Sequence, residues 1–217
     1  MIYKPFNFKN IDDFDKHINL SIPSYDTLMN IFSGVLSEYA QPETNVVDIG
    51  CSTGKFLSQL NQIAECNYFG IDKNDMNKHS NFKFVQGDLE TELQEIKNIS
   101  VIVSMFTLQF LGSKKRNRVL KIIKQKIDEG AIFLVAEKVY LNDPIIQTLI
   151  HRMHVQEKRS NFSDKDILDK DTQLSVSMFC KDESNLVEEF KSLGTVCKIW
   201  QSYNFMGFVV KNDWTVY

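Results

Sequence analysis

Short apolar runs alternate along the chain with segments of helical periodicity, and this alternation restricts the possible folds more than any other feature. Five runs have the length and composition of strands, and they cover residues 45–49, 67–71, 82–86, 101–106 and 131–136. Helical patterns cover 55–63 and 114–127. Strands that alternate with helices form a mostly parallel sheet with helices on both faces. The sequence therefore predicts an α/β fold with a doubly wound, Rossmann-like sheet.

Both ends of the chain add elements to this sheet. The predicted additions are N-terminal helices at 11–20 and 24–39, a helical insertion at about 143–190, and an antiparallel C-terminal hairpin at 196–201 and 205–211. Pro23 separates the first two helices, because proline breaks a helix interior. No repeat or low-complexity linker divides the 217 residues. We therefore expect one domain over 1–217, with a helical cap over about 1–40.

Composition and charge exclude several classes of protein. The chain is 43% hydrophobic and 24% charged, which is typical of a soluble globular domain. A net charge of −3 excludes a bulk polycation, and no run of about 18 apolar residues predicts a membrane span. Charges interrupt the N-terminal segment where a signal peptide would be apolar, and the four cysteines form no CxxC pair. We therefore expect a reduced, cytoplasmic protein with no membrane contact.

A glycine-rich turn follows the first predicted strand in the sequence VDIGCSTG, residues 47–54. Gly50 and Gly54 lack a Cβ atom, so the backbone can turn sharply and approach a ligand closely. The helix that follows offers free amide groups at its N-terminus. The turn lacks the third glycine of a dinucleotide-binding motif and the lysine of a phosphate-binding loop. A tight strand-to-helix turn without a ligand is the alternative for the glycine pair alone.

Acidic residues stand at or just after the carboxyl end of each of the first three predicted strands. Asp48 precedes the turn, Asp72 stands 22 residues after Gly50, and Asp88 follows the third strand in Gly-Asp-Leu. An acid at the end of the second strand typically accepts hydrogen bonds from ribose hydroxyls. The sulfonium and ammonium groups of S-adenosylmethionine (SAM) would be attracted by Asp48. This set of acids favours SAM over a nicotinamide dinucleotide.

The chain resembles the carboxy-S-adenosylmethionine synthase family over about residues 14–211. The resemblance is carried by FDKHINLSIPSYDTL (14–28), VVDIGCSTG (46–54), GDL (87–89), FTLQFL (106–111), AEK (136–138) and QSYNF (201–205). It implies a class I methyltransferase fold, a bound SAM or carboxy-SAM, and the carboxylation of SAM with prephenate for wobble-uridine modification of tRNA. It also implies a homodimer, with the helices of 140–180 directed towards the partner.

The resemblance also implies which residues bind the cofactor. Tyr25 would contact it from the N-terminal segment, Asp72 would bind the ribose, and Asp88 and Leu89 would flank the adenine. With the turn and the two departures from the family pattern, the predicted cofactor-binding set is Tyr25, Asp48, Gly50, Cys51, Ser52, Gly54, Asp72, Lys73, Asp88, Leu89 and Met105. Lys73 and Met105 stand where the family has asparagine.

One further departure bears on the reaction. The family has a Lys-Arg pair whose arginine grips the added carboxylate, and the alignment places Lys170 and Asp171 there. An acid repels a carboxylate, and a lysine such as Lys170 or Lys165 lacks the bidentate fork of arginine. The sequence therefore favours a SAM-dependent methyltransferase of unidentified acceptor. Carboxy-SAM synthesis and a SAM-binding protein without catalysis remain the alternatives.

The catalytic residue is left unassigned. Candidates for a general base are His17, Tyr25, Glu137, His151, His154 and Tyr203, and methyl transfer needs a base only if the acceptor loses a proton. His151 and His154 have a spacing that can bind a metal, but no third ligand is evident, so we predict none.

The basic stretch GSKKRNRVLKIIKQK, residues 112–126, predicts an amphipathic helix with a solvated cationic face. RNA contact through these cations is the less favoured alternative. The predicted partners are a small-molecule substrate and a second copy of the chain.

Overall fold

The structure is a computed structural model that describes residues 13–60 and 65–213. Its helices are α1 (Phe14–Ser21), α2 (Tyr25–Tyr39), α3 (Lys55–Ser58), α4 (Leu89–Glu95), α5 (Ser113–Asp128), α6 (Pro144–Lys158), α7 (Asp164–Ser175) and α8 (Glu183–Lys191), with a 3-10 turn at Leu108–Phe110. Its strands are β1 (Asn45–Ile49), β2 (Asn67–Asp72), β3 (Lys83–Gln86), β4 (Ile99–Met105), β5 (Ile132–Tyr140), β6 (Lys181–Asp182), β7 (Thr195–Ser202) and β8 (Phe205–Lys211).

The strands form one sheet in the order β3-β2-β1-β4-β5-β8-β7, and the short β6 pairs with the end of β5. The pairs among β1 to β5 are parallel. Strand β8 runs antiparallel between β5 and β7. The predicted fold class is confirmed, because the sheet is mostly parallel and ends in an antiparallel hairpin. The strand order reverses between β1 and β4, and sheets of this kind bind ligands at such a point.

Two hydrophobic clusters cover the two faces of the sheet. Successive residues of β5 alternate between them: Phe133 and Val135 pack with α5 and α8, whereas Ile132 and Leu134 pack with α2 and α3. This alternation follows from the two-residue period of a strand. A strand that is buried on both faces is continuously apolar, which is why these runs could be recognised in the sequence.

The helical insertion consists of separate helices with their own N-caps. The Asp143 side chain accepts hydrogen bonds from the amides of Ile145 and Ile146, and Pro144 occupies the first turn. The Ser163 hydroxyl accepts from the amide of Asp166 at 3.2 Å and begins α7. Such caps satisfy amides that have no partner within the helix. The predicted insertion at 143–190 is thus confirmed as mostly helical, but β6 interrupts it before α8.

The sequence missed α4 and overextended α3. Helix α4 has only Leu89 and Leu93 buried, so it lacks a broad apolar stripe. Helix α3 ends at Ser58 because the next two amides bond to carbonyls three residues back, as in a 3-10 turn. Residues 61–64, which the prediction also placed in this helix, lie outside the described residues, as do residues 11–12 of the first predicted helix.

Two cations of the basic stretch are buried, Arg116 and Lys126. Arg116 is 3% exposed, so its assignment to a solvated face was wrong. Its guanidinium reaches inwards to Glu137 on β5 and Glu189 on α8, and these acids lie too far away in sequence for the helical pattern to reveal them. Other cations of α5 pair with surface acids: Lys115 with Asp88, Arg118 with Glu90 and Lys124 with Asp128. These surface pairs favour the solvated-face interpretation for their own cations, but not for Lys126, which is 2% exposed.

Candidate active site

A cavity of about 410 Å³ opens at the carboxyl ends of β1, β2 and β4. Six residues of the predicted cofactor-binding set line it: Gly50, Ser52, Asp72, Lys73, Leu89 and Met105. The other walls come from α1, the segment after β4, and the α6–α7 insertion, which contribute Phe14, Ile18, Phe106, Gln109, Leu174 and Met178 among others. Small-molecule sites commonly have volumes of about 300–1,000 Å³. The cavity therefore has room for one ligand of this class.

The glycine turn brings its backbone against the segment after β4. Gly50 has φ +77°, a conformation that favours glycine. A Cβ atom there would lie 2.1 Å from Oγ1 of Thr107, so a side chain at this position would collide with that wall of the cavity. Gly54 also has a positive φ, +78°, and is the N-cap of α3. The two glycines therefore have a conformational role that the sequence anticipated.

Asp72 is held at the end of β2 by two backbone amides. Its carboxylate accepts from the amide of Ser52 at 3.0 Å and from the amide of Asn74 at 2.8 Å. These bonds fix its oxygens at the rim of the cavity, where further donors can approach. The Ser52 hydroxyl is buried, lines the cavity, and has no hydrogen-bond partner among the described residues. A polar ligand in the cavity would satisfy this hydroxyl.

Asp48 lies behind the turn and is 2% exposed. Burial, together with the nearby charge of Asp72, raises the pKa of Asp48 to about 8. Its carboxyl group is therefore mostly protonated at neutral pH when no cation is near. Tyr25 is also buried, and burial followed by the charge of Asp48 raises the pKa of its phenol. The Tyr25 ring packs against Phe106, which itself lines the cavity, with centroids 6.2 Å apart.

We expect Asp48→Asn to reduce the pH dependence of stability between about pH 4 and pH 8. The unfolded carboxyl has an ordinary pKa of about 4. The native protein therefore binds more protons than the unfolded chain in this window, and its stability falls as the pH rises, by at most about 1.4 kcal/mol per pH unit. Urea unfolding of both proteins at pH 5 and pH 8 measures the difference. Parallel pH profiles would show that Asp48 does not hold its proton.

Cys51 and Asp88 are the remaining predicted residues outside the cavity lining. Cys51 is buried, and burial raises the pKa of its thiol. The Asp88 carboxylate caps α4 by accepting from the amide of Glu90 at 3.0 Å, and it pairs with Lys115. Its neighbour Leu89 lines the cavity. The proposed adenine contacts of Asp88 and Leu89 stay predictions.

Three lysines from different elements line the end of the cavity near the insertion. Lys138 follows Glu137 on β5, Lys158 ends α6, and Lys170 lies on α7. Asp171 also lines this end, and its carboxylate lies 4.0 Å from Nζ of Lys158. The lysines outnumber the acid, so this end of the cavity has a surplus of positive charge.

Lys170 contacts two side chains of α1. Its Nζ atom donates to Oγ of Ser21 at 2.8 Å and lies 2.6 Å from Nε2 of His17. Burial, followed by repulsion from Lys158, lowers the pKa of Lys170 to about 7. Burial and the charge of Lys170 also lower the pKa of His17, to about 4. The imidazole is therefore neutral at pH 7, and its Nε2 atom can accept from Lys170.

The sequence analysis identified Lys170 as a substitute for the missing arginine, but it did not identify Lys138 or Lys158 as residues of the site. A weak signal for Lys158 existed, because His154 and Lys158 lie one helical turn apart on the buried side of α6. The other proposed substitute, Lys165, has a side chain that is 84% exposed and pairs with Asp169. Its exposure makes Lys165 a useful control for Lys170.

Among the six candidate bases, His17 is the one that lines the cavity. The Nε2 atom of His154 donates to the carbonyl of Ser21 at 3.0 Å, and burial lowers its pKa to about 3. Glu137 is buried and bonded to Arg116, and His151 is exposed.

The described parts of the chain bring no three His, Cys, Asp or Glu side chains together as metal ligands. Their helices also include none that is long and apolar enough to cross a membrane.

The mostly parallel sheet with its C-terminal hairpin, and the cavity at its strand ends, are typical of class I methyltransferases. Comparisons with known proteins support this assignment. A family model described as a methyltransferase domain matches residues 29–178. The carboxy-SAM synthase of Idiomarina loihiensis is 32% identical over 76% of this chain and 74% of its own. That of Shewanella halifaxensis is 27% identical over 94% of this chain and 90% of its own. The chain belongs to the methyltransferase-domain family and is a divergent member of the carboxy-SAM synthase family.

Solved structures of methyltransferases share the fold. The plantazolicin methyltransferase BamL, solved with S-adenosylhomocysteine, has a TM-score of 0.62 at 12% identity and covers 95% of this chain and 93% of its own. Human N-acetylserotonin methyltransferase, solved with SAM, has a TM-score of 0.56 at 13% identity and covers 87% of this chain and 52% of its own. The predicted class, a SAM-dependent transferase of the methyltransferase fold with SAM as cofactor, is therefore confirmed.

Proposed function

We propose that this enzyme carboxylates SAM with a small carboxylate co-substrate, for which prephenate is the candidate that the family resemblance implies. The observation that carries the proposal is the surplus of positive charge from Lys138, Lys158 and Lys170 at one end of the cavity. Carboxylate groups are stabilised beside such cations. The lysines thus supply attraction for the added carboxylate that the missing arginine would have supplied.

The cofactor lies, in this proposal, between the glycine turn and the lysines. Asp72 accepts from the ribose hydroxyls, and the Ser52 hydroxyl bonds to a polar group of the cofactor. Met105 and Phe106 also line the cavity. The added carboxylate then points towards Lys170. The six residues of the predicted cofactor-binding set that line the cavity keep their proposed roles, and Tyr25, Asp48 and Cys51 support the cavity from behind its lining.

Mass spectrometry of small molecules released from the denatured protein tests this function. Release of carboxy-SAM, and its formation when the purified enzyme receives SAM and prephenate, are expected. Release of SAM or S-adenosylhomocysteine alone, with no carboxy-SAM formed from added prephenate, would overturn the proposal.

Replacing Lys170 with methionine should raise the KM for prephenate about 10- to 100-fold, because a hydrogen bond to a charged group is worth about 1.5–3 kcal/mol. Methionine keeps much of the length of the side chain, and the dissociation constant of SAM should change little. Steady-state kinetics and calorimetry measure the two constants. Lys165→Met is the matched control on the same helix and should change neither. If the two variants changed the KM for prephenate equally, Lys170 would have no specific role in binding the co-substrate.

Methyl transfer to an anionic acceptor is the second candidate. The observation that favours it is Asp171, which lines the cavity at the position where the family has arginine. An acid beside Lys158 weakens the attraction for a carboxylate. Formation of S-adenosylhomocysteine with an added carboxylate acceptor, without carboxy-SAM, would favour this candidate.

We also propose that the enzyme is a cytoplasmic homodimer. Its product would be used for the wobble-uridine modification of tRNA. Helix α6 supports the dimer, because Ile145, Leu149 and Met153 lie four residues apart and are 70%, 47% and 56% exposed. Apolar patches of this kind are typical of protein interfaces. The four cysteines are all free, which suits a reducing compartment. Light scattering of the purified protein tests the dimer, and a monomeric mass would contradict it.

A further inference from the structure

Helix α1 forms one wall of the cavity but contributes little to the hydrophobic core. Its side chains Phe14, His17, Ile18 and Ser21 line the cavity. Residues 14–20 are exposed or half-buried, and burial begins at Ser21, the last residue of the helix. Because the inner face of α1 borders the cavity instead of a filled core, burial of apolar surface holds its N-terminal part only weakly.

A short connection joins α1 to the firmly packed helix α2. It consists of residues 22–24, and Ser24 has φ +60°, a conformation that residues other than glycine rarely adopt. Helix α2 buries Leu28 and Phe32 in the core. Hinges are a few residues at the ends of elements that absorb changes in φ and ψ. A rotation of α1 around residues 22–24 would therefore leave α2 and the sheet in place.

Hydrogen bonds from the helical insertion hold the C-terminal half of α1. Nζ of Lys170 contacts the side chains of His17 and Ser21. Nε2 of His154 donates to the carbonyl of Ser21. Since Ser21 lies directly beside the hinge, these bonds fix the end of α1 that would move least. The N-terminal end, which would move furthest, needs an attachment elsewhere.

A buried hydroxyl attaches the N-terminal end of α1 to the glycine turn. Thr53 is buried, and its hydroxyl donates to the carboxylate of Asp15 at 2.6 Å. The carbonyl of Thr53 accepts from the amide of Lys78 at 3.0 Å, which fixes Thr53 against the loop after β2. Its neighbour Ser52 lines the cavity and donates its amide to Asp72. The bond between Asp15 and Thr53 therefore connects the far end of α1 to the glycine turn of the cavity.

We propose that α1 is a strap that closes the cofactor cavity, and that the hydrogen bond between Asp15 and Thr53 is its latch. The strap opens by rotation around residues 22–24, and SAM enters and leaves while it is open. Neither Asp15 nor Thr53 lines the cavity, so the latch stabilises the closed strap to the same degree whether SAM is bound or not. The two are thus positioning residues that set the rates of cofactor exchange and not its equilibrium. The inference requires SAM as cofactor and is the same for carboxylation and for methyl transfer.

Thr53→Val tests the latch, because it removes the hydroxyl and keeps the shape of the side chain. Loss of a hydrogen bond to a charged group should raise the open fraction of the strap about 10- to 100-fold. The dissociation rate of SAM should rise by this factor and the association rate with it, so the dissociation constant should stay within about threefold. A chase of radiolabelled SAM with excess unlabelled SAM gives the dissociation rate. Calorimetry gives the dissociation constant, and the two values together give the association rate.

Further variants isolate the hydrogen bond from other effects. Thr53→Ser keeps the hydroxyl and should restore slow release. Lys16→Ala, at an exposed position of the same helix, is the matched control and should leave both rates unchanged. Asp15→Ala removes the acceptor and provides a second test if Thr53→Val folds poorly. The double variant Asp15→Ala with Thr53→Val should release SAM no faster than either single variant, because both changes break the same bond.

Two results would overturn the inference. Release of SAM at the wild-type rate from both single variants would show that the bond does not hold the strap closed. A dissociation constant that rises as much as the dissociation rate, with an unchanged association rate, would show that Thr53 only shapes the glycine turn and that α1 does not gate the cavity. Neither measurement involves carboxy-SAM, so failure of the strap and failure of the proposed carboxylation are distinguishable.

Discussion

Replacing Arg116 with methionine is expected to lower the free energy of unfolding by about 3–5 kcal/mol, the cost of removing one partner from a buried ion pair. The guanidinium donates to Glu137 at 2.9 and 2.7 Å, and to Glu189 at 2.6 Å. Glu137 is fully buried, so the variant would leave its carboxylate without a cation. Burial raises the pKa of Glu137, while Arg116 opposes that rise. Urea unfolding followed by tryptophan fluorescence measures the loss.

Two controls accompany this variant. Arg118→Met, one half-turn along α5, removes an exposed pair with Glu90, and such pairs are worth about 0–1 kcal/mol. Replacing the whole group at once, with Arg116→Met, Glu137→Leu and Glu189→Leu, should recover much of the stability, because no buried charge then lacks a partner. A loss below about 1 kcal/mol in the single variant would show that Glu137 is protonated or solvated in the native protein.

Replacing Asp72 with asparagine should weaken SAM binding about 30- to 1,000-fold, which corresponds to about 2–4 kcal/mol. The carboxylate is already oriented by the amides of Ser52 and Asn74. Its remaining acceptor capacity faces the cavity and would bond to the ribose hydroxyls. Asparagine keeps the shape but replaces one acceptor oxygen by a donor and removes the charge. Calorimetric titration with SAM gives the dissociation constants.

Asp75→Asn is the matched control in the same loop. Asp75 is exposed and does not line the cavity, so its variant should bind SAM as the wild type does. The Asp72 variant must also keep its melting temperature within a few degrees, since the carboxylate holds two backbone amides. Equal SAM affinity in the Asp72 variant and the wild type would contradict the ribose-binding role. A parallel loss of stability and affinity would instead assign Asp72 to the shape of the turn.

Features with a local signature could be predicted from the sequence. The buried strands are continuous apolar runs, and the turn at Gly50 needs a conformation that glycine readily adopts. The places of Asp48, Asp72 and Asp88 near the carboxyl ends of strands follow from the strand pattern, and sheets of this kind bind ligands at that edge. By contrast, α4 escaped prediction, because polar residues occupy five of its seven positions and only two leucines are buried.

The sequence by itself determined the sheet, its hairpin, the SAM-type turn and the position of Asp72, because each depends on spacing along a few neighbouring residues. Tertiary structure alone decided the burial of Arg116, since its two acidic partners lie on β5 and α8. It also decided the meeting of Lys138, Lys158 and Lys170 at one cavity. Contacts between residues so far apart in the chain leave no periodic pattern in the sequence. The packing of the insertion against α1 and the sheet sets the distances between these side chains. It also sets how deeply they are buried, and burial shifts their charge.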